Sequence, residues 1–235
     1  MASLSPTDVS DARAVWVNPA GLGRAPAASL YADLTVGDPG RLRQLTFGVS
    51  SRGFSFGYQR DIFDAGVRGT TYRAGLGAGH AGLAAGVAAA LYRGNAKATG
   101  WDCVVTYEHG PLAVGAVVAN IGQPVVRGAR QVITFLPGVT LRPFGDAAAF
   151  SASGSITAES VLGYAFGARF QTGGRAPVGL LARLDTDRLL RRTAFAFGLS
   201  IGGRDAVGVV ASTPGDASRV DTWDLYGIST RRAGR

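Results

Sequence analysis

His80 and His109 are the only imidazoles in the chain, and Cys103 is its only thiol. A Ser/His/Asp relay or a Cys/His pair needs a histidine beside a nucleophile, with a carboxylate to orient it. His80 falls in a turn and His109 at a segment end, and Asp64, Asp146 and Asp187 stand at no spacing that suggests a relay with either. One cysteine and two well-separated histidines do not supply a Cys/His metal set. The expectation is no catalytic residue, no metal site, no cofactor and no enzyme. Cys103 reads as a small buried hydrophobe on the apolar face of a strand, with no partner for an intrachain disulfide.

The remaining chemistry is charge, and most of it is arginine. Net charge is +8, and Lys97 is the sole lysine. The basic residues lie mostly at segment ends and turns: Arg41, Arg43, Arg52, Arg60, Arg93, Arg127, Arg130, Arg175, Arg191, Arg192, Arg204, Arg231 and Arg232. No segment carries the basic stripe with interleaved aromatics that a nucleic-acid platform needs, so nucleic acid is not an expected partner. Arginines at the ends of lipid-facing strands can instead reach anionic headgroups.

The elements that position these charges follow from alternation. Phe195, Phe197, Leu199 and Ile201 alternate with Ala194, Ala196, Gly198 and Ser200. Leu162, Tyr164 and Phe166 alternate with Gly163, Ala165 and Gly167. Successive strand side chains point to opposite faces, so each segment has a large apolar face and a face of very small residues. Only 17% of residues are charged, against about 25% in soluble domains, and there are 35 glycines. A soluble sandwich would need a charged outer face. No run of 18 apolar residues forms a transmembrane helix, although residues 81–92 come closest.

The pattern predicts strands over 27–36, 43–50, 53–61, 67–77, 81–92, 99–109, 111–121, 132–142, 147–157, 160–171, 176–185, 192–202, 205–212 and 220–230. That is an all-β, antiparallel transmembrane β-barrel of about fourteen strands. The longest link is expected at 122–131. Tyr31, Tyr58, Tyr92, Trp101, Tyr107, Phe144, Phe170, Trp223 and Tyr226 fall where interfacial girdles would lie. Gly and Ala on the inner face would keep the lumen open. The charges expected to face it are Asp33, Arg73, Asp102, Glu108, Arg142, Arg169 and Arg183. Residues 1–26 lack alternation and read as an irregular segment, with a helical turn over 7–15 capped by Thr7 or Ser10. The division is thus 1–26, hatch-like, and 27–235, barrel. The start, MASLSPTDVSDA, has neither the basic nor the apolar region of a signal peptide.

Residues 11–23 read DARAVWVNPAGLG. This resembles the N-terminal signature of the FadL-type long-chain fatty-acid transporter family and its type IX secretion relatives. The matching positions are Ala14 and the hatch motif Trp16, Asn18, Pro19, Ala20, Gly21 and Leu22. The resemblance implies a fourteen-stranded bacterial outer-membrane barrel with residues 1–26 folded inward as a hatch. The chain departs from that family in its short length, its short loops and its last segment, ISTRRAGR, which lacks a terminal aromatic. The function expected is a passive channel for hydrophobic or small amphipathic compounds. The alternative is a structural barrel that holds a partner protein or is the membrane part of a longer protein. Expected partners are membrane lipid, a hydrophobic small molecule and, in the alternative, that protein.

Overall fold

The computed structural model describes residues 5, 7–24, 27–37, 40–62, 68–94, 97–126, 128–214 and 220–231. Asp64, Arg127 and Arg232 lie outside the described residues, as do positions 1–4, 6 and 25–26 of the hatch-like segment. The strands are β1 (Ala28–Gly37), β2 (Arg41–Ser51), β3 (Phe54–Ile62), β4 (Arg68–His80), β5 (Leu83–Arg93), β6 (Lys97–His109) and β7 (Leu112–Ile121). A small ribbon follows, β8 (Val125–Val126) with β9 (Ala129–Arg130). Then come β10 (Thr134–Leu141), β11 (Ala148–Ile156), β12 (Val161–Gln171), β13 (Val178–Asp187), β14 (Arg192–Gly202), β15 (Asp205–Pro214) and β16 (Thr222–Arg231).

Fourteen of these close a ring in which every neighbour is antiparallel, with β1 on β16 and β7 on β10. Closure leaves no unpaired strand edge, which a lipid-facing wall requires. The β8–β9 ribbon stands apart and structures the long 122–133 link. Both described chain ends lie at one rim, here the lower. Arg52-Gly53 and Ala81-Gly82 turn the chain there in two residues, with positive φ at both positions of each pair. That is the mirror-image turn whose twist matches a hairpin, and glycine takes its second place without a Cβ clash. The upper rim carries the 122–133 link.

Alternation sorts the faces as the periodicity requires. Phe47, Leu76, Val105, Phe166, Phe197, Leu199 and Leu225 stand exposed on the outside. Ser29, Asp33, Thr46, Ser55, Thr106 and Thr140 are buried on the inside. Four sequence expectations change here. Cys103 lies on the outer face, because β6 turns its odd-numbered residues outward. Tyr31, Tyr92 and Tyr226 are not girdle residues; their register places them inside, where Tyr31 and Tyr226 meet at 6.4 Å between ring centroids. The helical turn, α1, is Ala14–Val17 rather than 7–15, and no side chain caps it. Thr7, expected as a cap, bonds Thr140 on the wall at 2.5 Å instead.

Candidate functional site

The N-terminal segment lies inside the barrel. Alanines and a proline dominate its packed face, and the chain bends through α1 and a 3₁₀ turn, Pro19–Arg24. Ala12, Ala14, Val15, Asn18 and Ala20 are fully buried. Leu22 packs with Val9 and Ala14, while Ala20 joins Ala84, Val104 and Val117 of the wall. The wall accepts this backbone because glycine stands where a side chain would collide. A Cβ on Gly86 would lie 2.3 Å from the Pro19 carbonyl carbon, and one on Gly77 would lie 2.3 Å from the Pro19 oxygen. Gly57 and Gly75 similarly admit Trp16 and Val15. On β3 to β5, inner glycines therefore seat the segment rather than keep the lumen open. The signal was legible as Gly75, Gly77, Gly79 and Gly86 on neighbouring inner faces, since strand glycines mark close backbone approach.

Charge ties the segment down at both ends. Asp8 accepts from Arg142 at 3.0 Å and from Arg169 at 3.1 Å. Arg142 also pairs with Glu108 at 2.6 Å, and Glu108 pairs with Arg24 at the far end of the segment. Arg73 pairs with Asp102 at 2.8 Å and donates to the carbonyls of Val15 and Trp16, satisfying the exposed end of α1. Its guanidinium also lies over the Trp16 ring, 5.6 Å from the centroid. Within the segment, Arg13 clasps Asp11 at 2.6 Å and stands over the Tyr31 and Tyr226 rings. Burial works to raise the Asp11 carboxyl, but Arg13 prevails and holds it below its ordinary value. Burial works to lower the Arg13 guanidinium, and Asp11 carries it upward instead.

The segment leans on β2 to β6 and leaves room on the other side. A cavity of about 490 Å³ opens toward the lower rim between Asp8, Arg13, Arg142, Arg169, Ser200 and Tyr226. A second, of about 410 Å³, lies toward the upper rim, with Trp16, Val17, Leu136, Leu162, Tyr164 and Arg183 among its lining. That lining draws on both faces of β11 and β12: Ser153 and Ser155 from inside, Gly154 and Tyr164 from outside. The adjoining ladder is broken. β10 and β11 pair at Phe135↔Ile156 and again from Gly138↔Ser153, but not at Leu136 and Pro137. Pro137 has no N–H to give, so its place in the ladder cannot be filled.

The structure places Trp16, Asn18, Pro19, Ala20, Gly21 and Leu22 in or beside the buried face of the inner segment. Asp33, Arg73, Asp102, Glu108, Arg142, Arg169 and Arg183 all face the lumen. Among the described residues, five of these seven bond the segment or each other. Asp33 is buried on β1, and Arg183 pairs with Asp185 on its own strand at 2.7 Å. The sequence reading did not single out Asp8, Arg24 or Pro137. The first two are ordinary loop charges until folded, and Pro137 read as one residue of an alternating segment. His80 and His109 both point outward near the lower rim, away from both cavities. Among the described residues no group of three or more potential ligands could hold a metal ion.

No protein-family model matches the chain, and no curated protein matches it in sequence. Solved structures do match in shape. One is titled CymD monoaromatic hydrocarbon channel; the match has a TM-score of 0.65 at 10% identity and covers 99% of this chain and 96% of that one. Another is the outer membrane protein Omp33 of Acinetobacter baumannii, at a TM-score of 0.54 and 11% identity, with 87% of this chain and 98% of that one covered. At such identities the likeness is one of fold, and the fold is a closed, fourteen-stranded antiparallel barrel of the kind that outer-membrane proteins use.

Proposed function

We propose that this chain is a bacterial outer-membrane barrel through which hydrophobic or small amphipathic compounds pass without catalysis. The observation that carries this reading is the pair of cavities beside the inner segment, the upper one adjoining the broken ladder at Pro137. Ligand paths of this size combine apolar lining with a few polar groups. The upper cavity supplies Trp16, Leu136 and Leu162, and the lower one supplies paired charges. The inner segment acts as the hatch, as the FadL-type resemblance implies. Compounds reach the upper cavity and leave either past the hatch or sideways through the wall at Pro137. The outward placement of both histidines supports a channel over an enzyme. Monoaromatic hydrocarbons, named for the similar channel, are the first class to try.

Uptake of a monoaromatic hydrocarbon into proteoliposomes tests this. The wild-type barrel should speed uptake over protein-free vesicles. Pro137→Val restores a backbone donor on an outward position and should close the ladder, cutting uptake several-fold while heat-modifiable mobility stays the same. A barrel that gives no uptake in either form, and that brings down a stoichiometric protein from membranes, is the scaffold of the alternative reading.

A further inference from the structure

We propose that the outer wall of β3 to β6 carries, just below the upper rim, a binding site for the phosphate of an anionic lipid headgroup. This rests on the membrane reading above. Register builds the site. Arg60 on β3 pairs with Thr70 on β4, Thr70 with Arg93 on β5, and Arg93 with Lys97 on β6. All four occupy outward positions of their strands. One ladder row of the wall therefore presents two guanidiniums, a hydroxyl and an ammonium on neighbouring strands. With strands about 4.8 Å apart, the row spans about 14 Å.

Among the described residues this arrangement lacks an internal reason. Like charges directly opposed across an antiparallel pair are destabilising, yet Arg93 and Lys97 face each other at the end of the β5–β6 pair. The carboxylates of the same strands, Asp61, Asp102 and Glu108, all turn inward, where Asp61 accepts from Gln44 and Gln59. No described carboxylate lies within salt-bridge reach of Arg60, Arg93 or Lys97; Arg93 donates only to the Tyr92 carbonyl. A bridging anion would turn the repulsion into attraction. The order of outward residues along each strand identifies that anion. The next outward row below is Phe47, Tyr58, Tyr72, Leu91 and Thr99, with Trp101 one further step down β6. Tyrosine and tryptophan sit at the membrane–water boundary, so cations one step beyond them stand among headgroups. Arginine forks onto phosphate through two donors, and Lys97 adds a point charge.

The test uses tryptophan quenching in nanodiscs. Trp16→Phe and Trp223→Phe leave Trp101 as the reporter. Brominated phosphatidylglycerol at low mole fraction should quench it more than brominated phosphatidylcholine. In R60Q/R93Q/K97Q that preference should vanish, the three lost cations weakening anionic-lipid binding by roughly two orders of magnitude. Equal quenching by both lipids in the parent, or an undiminished preference in the triple variant, overturns the proposal. Loss of the preference on adding millimolar inorganic phosphate would show a free-phosphate site and overturn the lipid assignment. Absence of quenching by either lipid means that Trp101 is not in a bilayer, and then both this proposal and the membrane reading fall.

Discussion

Gly86→Val should yield a barrel that folds but no longer holds its hatch. A Cβ at this position would sit 2.3 Å from the Pro19 carbonyl carbon, 2.4 Å from the Ala20 nitrogen and 2.5 Å from the Pro19 oxygen. These are backbone atoms and cannot rotate aside. Opposite it in register stands Gly77, so the two glycines form one saddle under Pro19 and Ala20. The strand itself tolerates valine, which favours extended backbone. The wall should therefore keep its heat-modifiable mobility, while small-solute permeability rises several-fold and trypsin cuts at Arg13 or Arg24. Gly227→Val is the control, because nothing lies within 4 Å of a Cβ there. If Arg13 stays protected in G86V, the segment is not seated through this saddle.

The second large effect belongs to Asp8. Its carboxylate is the point where Arg142 and Arg169 of the wall converge on the segment. Asp8→Ala would leave two guanidiniums facing each other, with Arg142 keeping Glu108 and Arg169 keeping only a long contact to Gln171. The pairs are largely buried, with 17% of the Asp8 side chain exposed. The cost should fall between surface and buried pairs, roughly 2 kcal/mol. It should appear as local opening, with amide exchange across residues 8–16 about 30-fold faster and exchange in β11 to β15 unchanged. Replacing Arg169 as well should cost little more than D8A alone, because the two share one interaction. Full additivity of D8A and R169A would sink the idea of a shared clamp.

Much of the wall could be read locally. The segments expected at 160–171 and 192–202 became Val161–Gln171 and Arg192–Gly202. Their period of two is carried by neighbours in the chain and needs no distant partner. Less legible were features that depend on phase or register. Tyr31 and Tyr226 were expected in a girdle, but they lie within β1 and β16 and strand phase turned them onto Arg13. The gap at Pro137 needed the knowledge that β11 lies beside it.

By itself, then, the sequence determined a closed antiparallel wall with large residues outside and small ones inside. It also marked residues 1–26 as something different. Alternation, turn chemistry and low charge are short-range properties, and lipid rewards only one way of combining them. Tertiary structure alone decided where the first segment leans, because a glycine seats a backbone only when strand pairing brings Gly77 beside Gly86. It also aligned Arg60, Arg93 and Lys97 in one row. Their spacing along the chain is irregular, and only the ladder makes them neighbours.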